Sequence, residues 1–492
     1  MWQFLSPEAA KWVTLVIFIL VFAFILHRKI PIQYLSLSAA AILIGLGIIS
    51  PGTAFLDNDN GVSWDVLAIY FGFGMLALVL EQSRLPGAIA SWVLPRLRKE
   101  KYALLFLCVL AAFLSSFMAN PVVVLMLAPL AIEMADRLKA SLFLYLIALA
   151  AASNIVTTVT MMADPPALIL AMQTNMSFME FYWFQGRPGL GTLSTLGVLA
   201  AMLVLVFQFR RLDKTVDLQA PAVVVGKRSV ILMVIGLIGC ALAVGLKATG
   251  YTVPSVIVLT LFALFVALAD TIYPETEDPG EGRMRLTLGS SAVFLLSCFA
   301  LALVPNEVAA FLRWQGWVGF ILGLLSLVML RKRWFYGVKE FDWQSITFLI
   351  GIFIVIGSVN QVGLLKELTD WMTRVGLTNP IVVFVIITWM SVLLSAFIDN
   401  VPYTILMIPV CGYLAKTLNV NPFYLYFGML IGTGIGGNLT PVGATANVLA
   451  CGMLEKRGYK IDLWKYMKIA VPFSCIAVLV AMLLVQIFWY GS

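Results

Sequence analysis

Leu114-Ser115-Ser116-Phe117-Met118-Ala119-Asn120, followed by Pro129, and Leu394-Ser395-Ala396-Phe397-Ile398-Asp399-Asn400, followed by Pro409, are two copies of one segment. Their offset is constant (399 − 119 = 280) and persists downstream, where Thr160-Met161-Met162-Ala163 matches Thr440-Pro441-Val442-Gly443. Upstream, Trp64 pairs with Trp343, Gly72 with Gly351 and Gln82 with Gln361, one residue out of that register. Both copies interrupt an apolar stretch with polar residues. A duplicated unit broken at corresponding places points to a secondary transporter and to the position of its binding site.

The surrounding composition requires a membrane. Of 492 residues, 61% are hydrophobic and 12% charged, with a mean hydropathy of +0.98. Apolar stretches of about 17–22 residues, the length that crosses a bilayer core, recur along the whole chain. The net charge of +7 does not imply a nucleic-acid partner, because the basic residues lie between apolar stretches, where orientation signals belong. The six cysteines fall within apolar segments without a Cys-x-x-Cys pair and read as small buried hydrophobes. His27, the single histidine, sits beside Arg28 and Lys29 and reads as interfacial. The first apolar segment is followed, not preceded, by that basic cluster, so it reads as a retained span with an outward N-terminus rather than a signal peptide. An enzyme is not expected: no nucleophile–base pair, metal cluster or nucleotide loop is present, and no cofactor is implied.

The fold class expected is an all-α polytopic membrane protein with an inverted structural repeat. Each half carries a re-entrant hairpin and a broken transmembrane helix. The first repeat covers residues 1–212, with its hairpin at about 102–138 and its broken helix at about 141–172. A linker with an inserted helix pair follows at 213–286, the pair itself near 230–272. The second repeat covers 287–492, opening with a span near 289–305, with its hairpin at about 381–418 and its broken helix at about 421–453. Irregular backbone at membrane depth is tolerated only when buried in protein or lining a cavity. This layout sends Arg96, Arg98, Lys99, Lys101, Arg137, Lys139, Arg210, Arg211, Lys214, Lys456, Arg457 and further basic residues to one face. Lys11, Arg187 and Lys366 fall on the other. The basic face is then cytoplasmic, both termini lie outside, and an odd number of crossings inverts the second repeat.

The chemistry is expected where the four breaks meet. Asn154-Ile155-Val156-Thr157-Thr158 leads into Asp164-Pro165-Pro166, and paired prolines cannot continue a helix. In the second half the glycine-rich run Gly432 to Gly443 contains Gly437, Asn438, Thr440 and Pro441. Asp399 is the sharpest candidate, since a carboxylate at membrane depth costs about 2.5–3.5 kcal/mol and normally has a function. Asp164 is the second, and the two are the candidates for proton coupling. Asn400, Asn438, Thr440 and Asn447 offer neutral oxygens for sodium or a hydroxylated solute, with Asn120, Thr157, Thr158 and Thr160 as first-half counterparts. Asp399, Asn400 and Asn438 are the candidate ligands of a sodium site.

Ser395-Ala396-Phe397-Ile398-Asp399-Asn400-Val401-Pro402, Gly436-Gly437-Asn438-Leu439-Thr440-Pro441 with Asn447, and Ala163-Asp164-Pro165-Pro166 resemble the ion transporter superfamily. The nearer branch holds arsenite permeases, D-type sodium/proton antiporters, citrate permeases and the P protein. The resemblance implies homodimers with a scaffold and a moving transport domain, hence elevator-type alternating access. The first hairpin tip departs from the branch: Ala119 stands where Asp is usual. The first-half site is therefore expected to be weakened and the ion site near Asp399 to dominate. The expected function is a secondary transporter driven by a proton or sodium gradient. Its solute is a small inorganic ion or oxyacid, with arsenite or antimonite efflux the reading the resemblance implies. A sodium/proton antiporter, a citrate or dicarboxylate carrier and an anion channel are the alternatives. The expected setting is a bacterial-type inner membrane with lipid contacts.

Overall fold

The computed structural model describes residues 5–27, 30–57, 60–82, 93–215, 316–330, 334–374 and 378–491, with four isolated positions between 239 and 261. The inserted helix pair at 230–272 and the span near 289–305 lie outside the described residues.

The chain is mostly helical, as its hydropathy requires. The first group of helices is α1 (Pro7–His27), α2 (Ile32–Gly45), α3 (Pro51–Leu56) and α4 (Trp64–Gln82). Next come α5 (Glu100–Ser115), α6 (Asn120–Arg137), α7 (Leu142–Asn154), α8 (Pro165–Gln173) and α9 (Leu190–Phe209). The second half supplies α10 (Trp317–Leu330), α11 (Trp334–Glu340), α12 (Trp343–Gln361), α13 (Leu364–Arg374), α14 (Pro380–Ser395) and α15 (Asn400–Leu418). It ends with α16 (Pro422–Gly436), α17 (Thr445–Lys456) and α18 (Leu463–Trp489). Five described helices, α1, α9, α12, α15 and α18, are long and apolar enough to cross a membrane. The starts of α5, α6, α7 and α8 recur 280 residues later as the starts of α14, α15, α16 and α17 (400 − 120 = 280 for the second pair). Duplication thus extends from motif to secondary structure.

The segments expected at 102–138 and 381–418 are each two helices joined by a four-residue turn, 116–119 and 396–399. Those expected at 141–172 and 421–453 are each two helices with an irregular run between them, 155–164 and 437–444. Proline explains the restart in the first: Pro165 and Pro166 occupy the opening turn of α8, where missing N–H groups cost least.

Two sets of helices pack side by side. In one, α2 lies against α12 and α4 against α10; in the other, α5–α8 and α14–α18 interlock, with α9 along α18. The sets meet where α4 touches α8 and α12 touches α15. Close approach inside the second set depends on Gly428, Gly432 and Gly436, one turn apart on α16. A side chain at Gly432 would strike the carbonyl oxygen of Thr388 and lie 2.7 Å from Ser391 Cβ, both on α14. Small residues at this spacing let two membrane helices bring their backbones together.

Several of the charged helix ends pair with one another. Asp213, just beyond α9, pairs with Lys101 (2.9 Å) and Lys99 (3.3 Å) at the start of α5. Those two ammonium groups hold its carboxyl below the usual carboxylate range. Lys214 Nζ donates to the carbonyls of Leu138 (2.8 Å) and Lys139 (2.9 Å), satisfying the end of α6. Arg457, past α17, reaches Asp136 (3.1 Å) on α6. Lys11 pairs with Glu367, and Arg187 Nη1 donates to Phe488 O (3.0 Å).

Two elements depart from the all-α expectation or were not foreseen. Trp183–Phe184 and Arg187–Pro188 form a short antiparallel ribbon. Gln185 and Gly186 between them both have positive φ (50° and 76°), the pair of left-handed residues that a tight hairpin of matching twist needs. Phe184 stacks on Trp489 and meets Phe423 edge-on, so the ribbon caps α16 and α18. The helix α13 follows Gly363 (φ 79°) and is amphipathic: Leu365 is buried while Lys366, Glu367, Asp370 and Arg374 are exposed.

Candidate functional site

All four breaks open onto one cavity of about 780 Å³. Asn120, Pro165, Asn400 and Thr445, the first residues of α6, α8, α15 and α17, line it. Four helix N-termini therefore converge, each with unsatisfied N–H groups and the positive end of a helix dipole. Asp399 caps its own helix, its Oδ1 accepting from Val401 N at 3.0 Å. Asp164 begins α8 without capping it, and the Asn400 side chain of the second half lies beside it in the same cavity wall. The Asp164 and Asp399 carboxylates lie within electrostatic reach of each other. Like charges in one low-dielectric space repel, and a shared proton or a cation relieves that repulsion.

The remaining charge in the cavity has the same sign. Glu81 from α4, Glu340 from α11 and Asp342 at the start of α12 join Asp164 and Asp399 in the wall. No lysine, arginine or histidine is among the described lining residues. Tyr70 on α4 donates to Asp342 Oδ2 (3.2 Å), and Ser345 Oγ donates to the same oxygen. Among the described residues, no group of three or more His, Cys, Asp or Glu could hold a metal ion.

The neutral candidates divide by position. Asn120, Thr157 and Asn400 line the cavity; Thr158, Thr160, Gly437, Asn438, Thr440 and Asn447 do not. Thr160 and Thr440 occupy matching places and make matching bonds. Thr160 Oγ1 donates to Ser116 O, and Thr440 Oγ1 donates to Ala396 O (2.6 Å). Each pins a turn to the irregular run behind it. Thr440→Val should strip a buried carbonyl of its donor and destabilise the protein by about 1–3 kcal/mol, read as a lower unfolding temperature than wild type in the same detergent.

Asn438 and Asn447 also work behind the wall. Asn438 Nδ2 donates to Ala151 O (3.0 Å), and Asn447 Nδ2 donates to Gly437 O (3.1 Å) and Thr440 O (3.4 Å). Their oxygens both accept from Asn154 Nδ2, at 3.0 Å and 2.9 Å. Three amides thus tie the end of α7 to the second irregular run and the start of α17, and Asn154 alone of the three lines the cavity. Tyr466 OH donates to Asn438 O (3.1 Å) and joins α18 to this cluster.

The halves differ in how fully their polar groups are paired. Ser395 Oγ lies 2.6 Å from both Asn400 Oδ1 and Thr433 O, its single hydrogen serving one of them at a time. Their counterparts Ser115 Oγ and Asn120 Oδ1 are buried without a hydrogen-bond partner among the described residues, as are Asn154 Oδ1, Thr157 Oγ1 and Thr158 Oγ1.

The sequence reading did not single out Asn154, Tyr70, Glu81, Glu340 or Asp342 as site residues. Asn154 was visible in a polar motif ahead of the Asp-Pro-Pro break. Glu81 and Glu340 adjoin basic stretches and look interfacial, and Asp342 resembles an ordinary helix cap, which it also is: its Oδ1 accepts from Ser345 N (3.1 Å).

A family model described as a citrate transporter, CitMHS, matches residues 20–432. The chain belongs to the citrate transporter family. Similar curated proteins include the 46 kDa membrane protein of Mycobacterium leprae, 25% identical and aligned over 95% of this chain and 96% of that one. An uncharacterised transporter of Synechocystis, slr0753, is 23% identical over 95% of each chain. The mouse P protein is 24% identical over 91% of this chain and 56% of its own length. The crystal structure of the Alcanivorax borkumensis YdaH transporter superposes with a TM-score of 0.45 at 16% identity, covering 97% of this chain and 98% of that one. Membership of the citrate transporter family makes this chain an integral membrane transporter, in keeping with its apolar helices.

Proposed function

We propose that this protein is a proton-coupled secondary transporter in which Asp164 and Asp399 carry the coupling protons. Its solute is a small inorganic ion or oxyacid, with arsenite or antimonite the best-suited class. The observation that carries the reading is the charge of the cavity: five carboxylates and, among its described lining residues, no basic side chain. A free polyanion meets repulsion there, whereas an uncharged hydroxylated acid or a cation does not. Protonating the carboxylate pair lowers the cost of moving the site through hydrocarbon, and releasing the proton on the far side returns it to the charged state.

The transport cycle is elevator-type in a homodimer, with the halves an inverted repeat and the two helix–turn–helix units re-entrant hairpins. The shared 280-residue offset of their helix starts supports this. The meeting of Lys99, Lys101, Lys214 and Arg457 on one side supports a cytoplasmic basic face in an inner membrane, with both termini outside.

Citrate is the second reading, favoured by the family and by one feature of the site. Ala119 and Ala444 begin α6 and α17 without a capping side chain, which leaves N–H groups available to a carboxylate. In this acidic cavity citrate would need its charge offset by protons or a bound cation.

Reconstituted protein in vesicles with an imposed proton gradient tests both, using arsenite, citrate with and without magnesium, and sodium, while internal pH is followed. Proton movement coupled to arsenite is the expected result. Proton movement coupled only to citrate would replace the solute, and sodium-triggered proton movement without solute flux would make the protein a sodium/proton antiporter. Solute flux indifferent to pH would overturn the coupling.

A further inference from the structure

The helices α9 and α18 run antiparallel. A side chain at Gly197 would meet Ala477 O and Ala481, while further along α9 the Gln208 Nε2 donates to Lys468 O (3.4 Å) and Ile469 O (3.3 Å). That contact has a cause. Pro472 has no N–H, so Lys468 O, four residues before it, loses its donor inside α18. Gln208 replaces the donor and holds the end of α9 against the start of α18.

The same corner gathers Arg210 and Arg211, just past α9, with Lys465 and Lys468 in the first two turns of α18. All four are exposed, and none pairs with a carboxylate among the described residues. The acids nearest in sequence are already engaged. Asp213 holds Lys99 and Lys101, and Asp462 caps α18, its Oδ1 accepting from Trp464 N (2.9 Å) and Lys465 N (3.3 Å). The Arg210 guanidinium lies 3.9 Å from the centre of the exposed Phe207 ring, a stacking that leaves its N–H edge free to bind an anion.

Phe207 ends a stripe of exposed apolar residues on α9, with Leu196, Leu199 and Leu203 one turn apart. From Leu196 to Phe207 the helix rises about 16 Å, close to the roughly 15 Å depth of one bilayer leaflet. Both helices are long and apolar enough to cross a membrane, so the four charges fall where headgroups begin. Trp464, exposed beside them, stands at the level that indole rings prefer. A headgroup of net negative charge fits this corner, whereas a zwitterionic one brings an ammonium group that four cations repel.

We propose that the corner between α9 and α18 binds one acidic phospholipid, its phosphate held by Arg210, Arg211, Lys465 and Lys468 and an acyl chain laid along the face from Leu196 to Phe207. The site reaches the cavity through one residue. Tyr466, between the two lysines in sequence, is buried and donates to Asn438 O (3.1 Å) behind the cavity wall. The lipid therefore steadies the helix end that supports the wall, whatever solute or coupling ion is carried.

The test uses the purified full-length protein in non-ionic detergent. Its unfolding temperature is followed as phosphatidylglycerol or phosphatidylcholine is added, and native mass spectrometry counts the lipid retained. Saturable stabilisation by phosphatidylglycerol alone, with that lipid retained, is the expected result. The double variant Arg210→Gln/Lys468→Gln alters two exposed side chains, so it should fold and need roughly tenfold or more phosphatidylglycerol for half the effect. Lys366→Gln/Arg374→Gln removes the same charge from α13 and should leave that midpoint within about twofold. Equal stabilisation by both lipids, or by inorganic phosphate alone, overturns the proposal. So does an equal loss in the α13 variant, which would mean attraction by overall charge. An Arg210→Gln/Lys468→Gln protein that keeps its lipid but separates from a second copy also overturns it, placing a protein interface on this face.

Discussion

Asp399→Asn is expected to reduce pH-driven transport to the level of protein-free vesicles while leaving the protein folded. The two halves of that statement rest on different atoms. Asparagine caps a helix as well as aspartate does, so the bond from Val401 N that begins α15 survives and folding changes by no more than a few tenths of a kcal/mol. What is lost is the one property asparagine lacks, a titratable proton at membrane depth. Asp164→Asn also removes a coupling proton and takes the neighbouring charge from Asp399, so pH-driven transport should fall strongly and what remains should be displaced in pH. Size-exclusion profiles and unfolding temperatures establish folding; uptake against external pH reads the coupling. A well-folded Asp399→Asn protein with wild-type pH-driven uptake would sink the coupling role.

Gly432→Val should yield little or no folded protein. The β-branched side chain would be driven into the α14 backbone at Thr388, and Val392 N lies only 3.1 Å from the position of the new Cβ. Overpacking by single methylene groups already costs about 1–3 kcal/mol, and a valine adds three carbons at a fully buried helix crossing. Whole domains are stable by about 5–15 kcal/mol, so the loss takes a large share of the total. Gly452→Ala is the control. Nothing lies within 4 Å of its Cβ position on α17, so alanine should be neutral or stabilising by up to about 1 kcal/mol. Equal yields and unfolding temperatures for Gly432→Val and wild type would refute the close crossing of α14 and α16.

Much of this was legible in the sequence, for identifiable reasons. The helix–turn–helix units and broken helices were readable because proline and glycine act locally, and the repeat allowed each half to check the other. Asp164 and Asp399 were readable because a carboxylate in an apolar stretch has few alternative uses. The structural duties of Asn438, Thr440 and Asn447 were not readable. A neutral polar residue beside a break looks the same in sequence whether it faces a cavity or bonds the backbone behind it. The acidity of the wall was hidden for a related reason: Glu81 on one side and Glu340 with Asp342 on the other come from helix ends, where charges are commonplace. The small ribbon at 183–188 was missed because a two-residue strand has no period to detect, although Gln185-Gly186 is a permissible tight turn.

The asparagine chain also breaks the symmetry of the repeat. At the repeat's own offset, Asn154 corresponds to Gly434, Asn438 to Thr158 and Asn447 to Ala167. No member of the trio has an asparagine twin, whereas the clamps made by Thr160 and Thr440 are twins in residue and in partner. The clamps therefore obey the two-fold relation of the repeat, whereas the amide trio is a lock with a different part on each side. Such a lock can be held only by two unlike halves joined in one chain, because two identical copies would each lack the other's part. The halves are accordingly not interchangeable, however closely their helix starts agree.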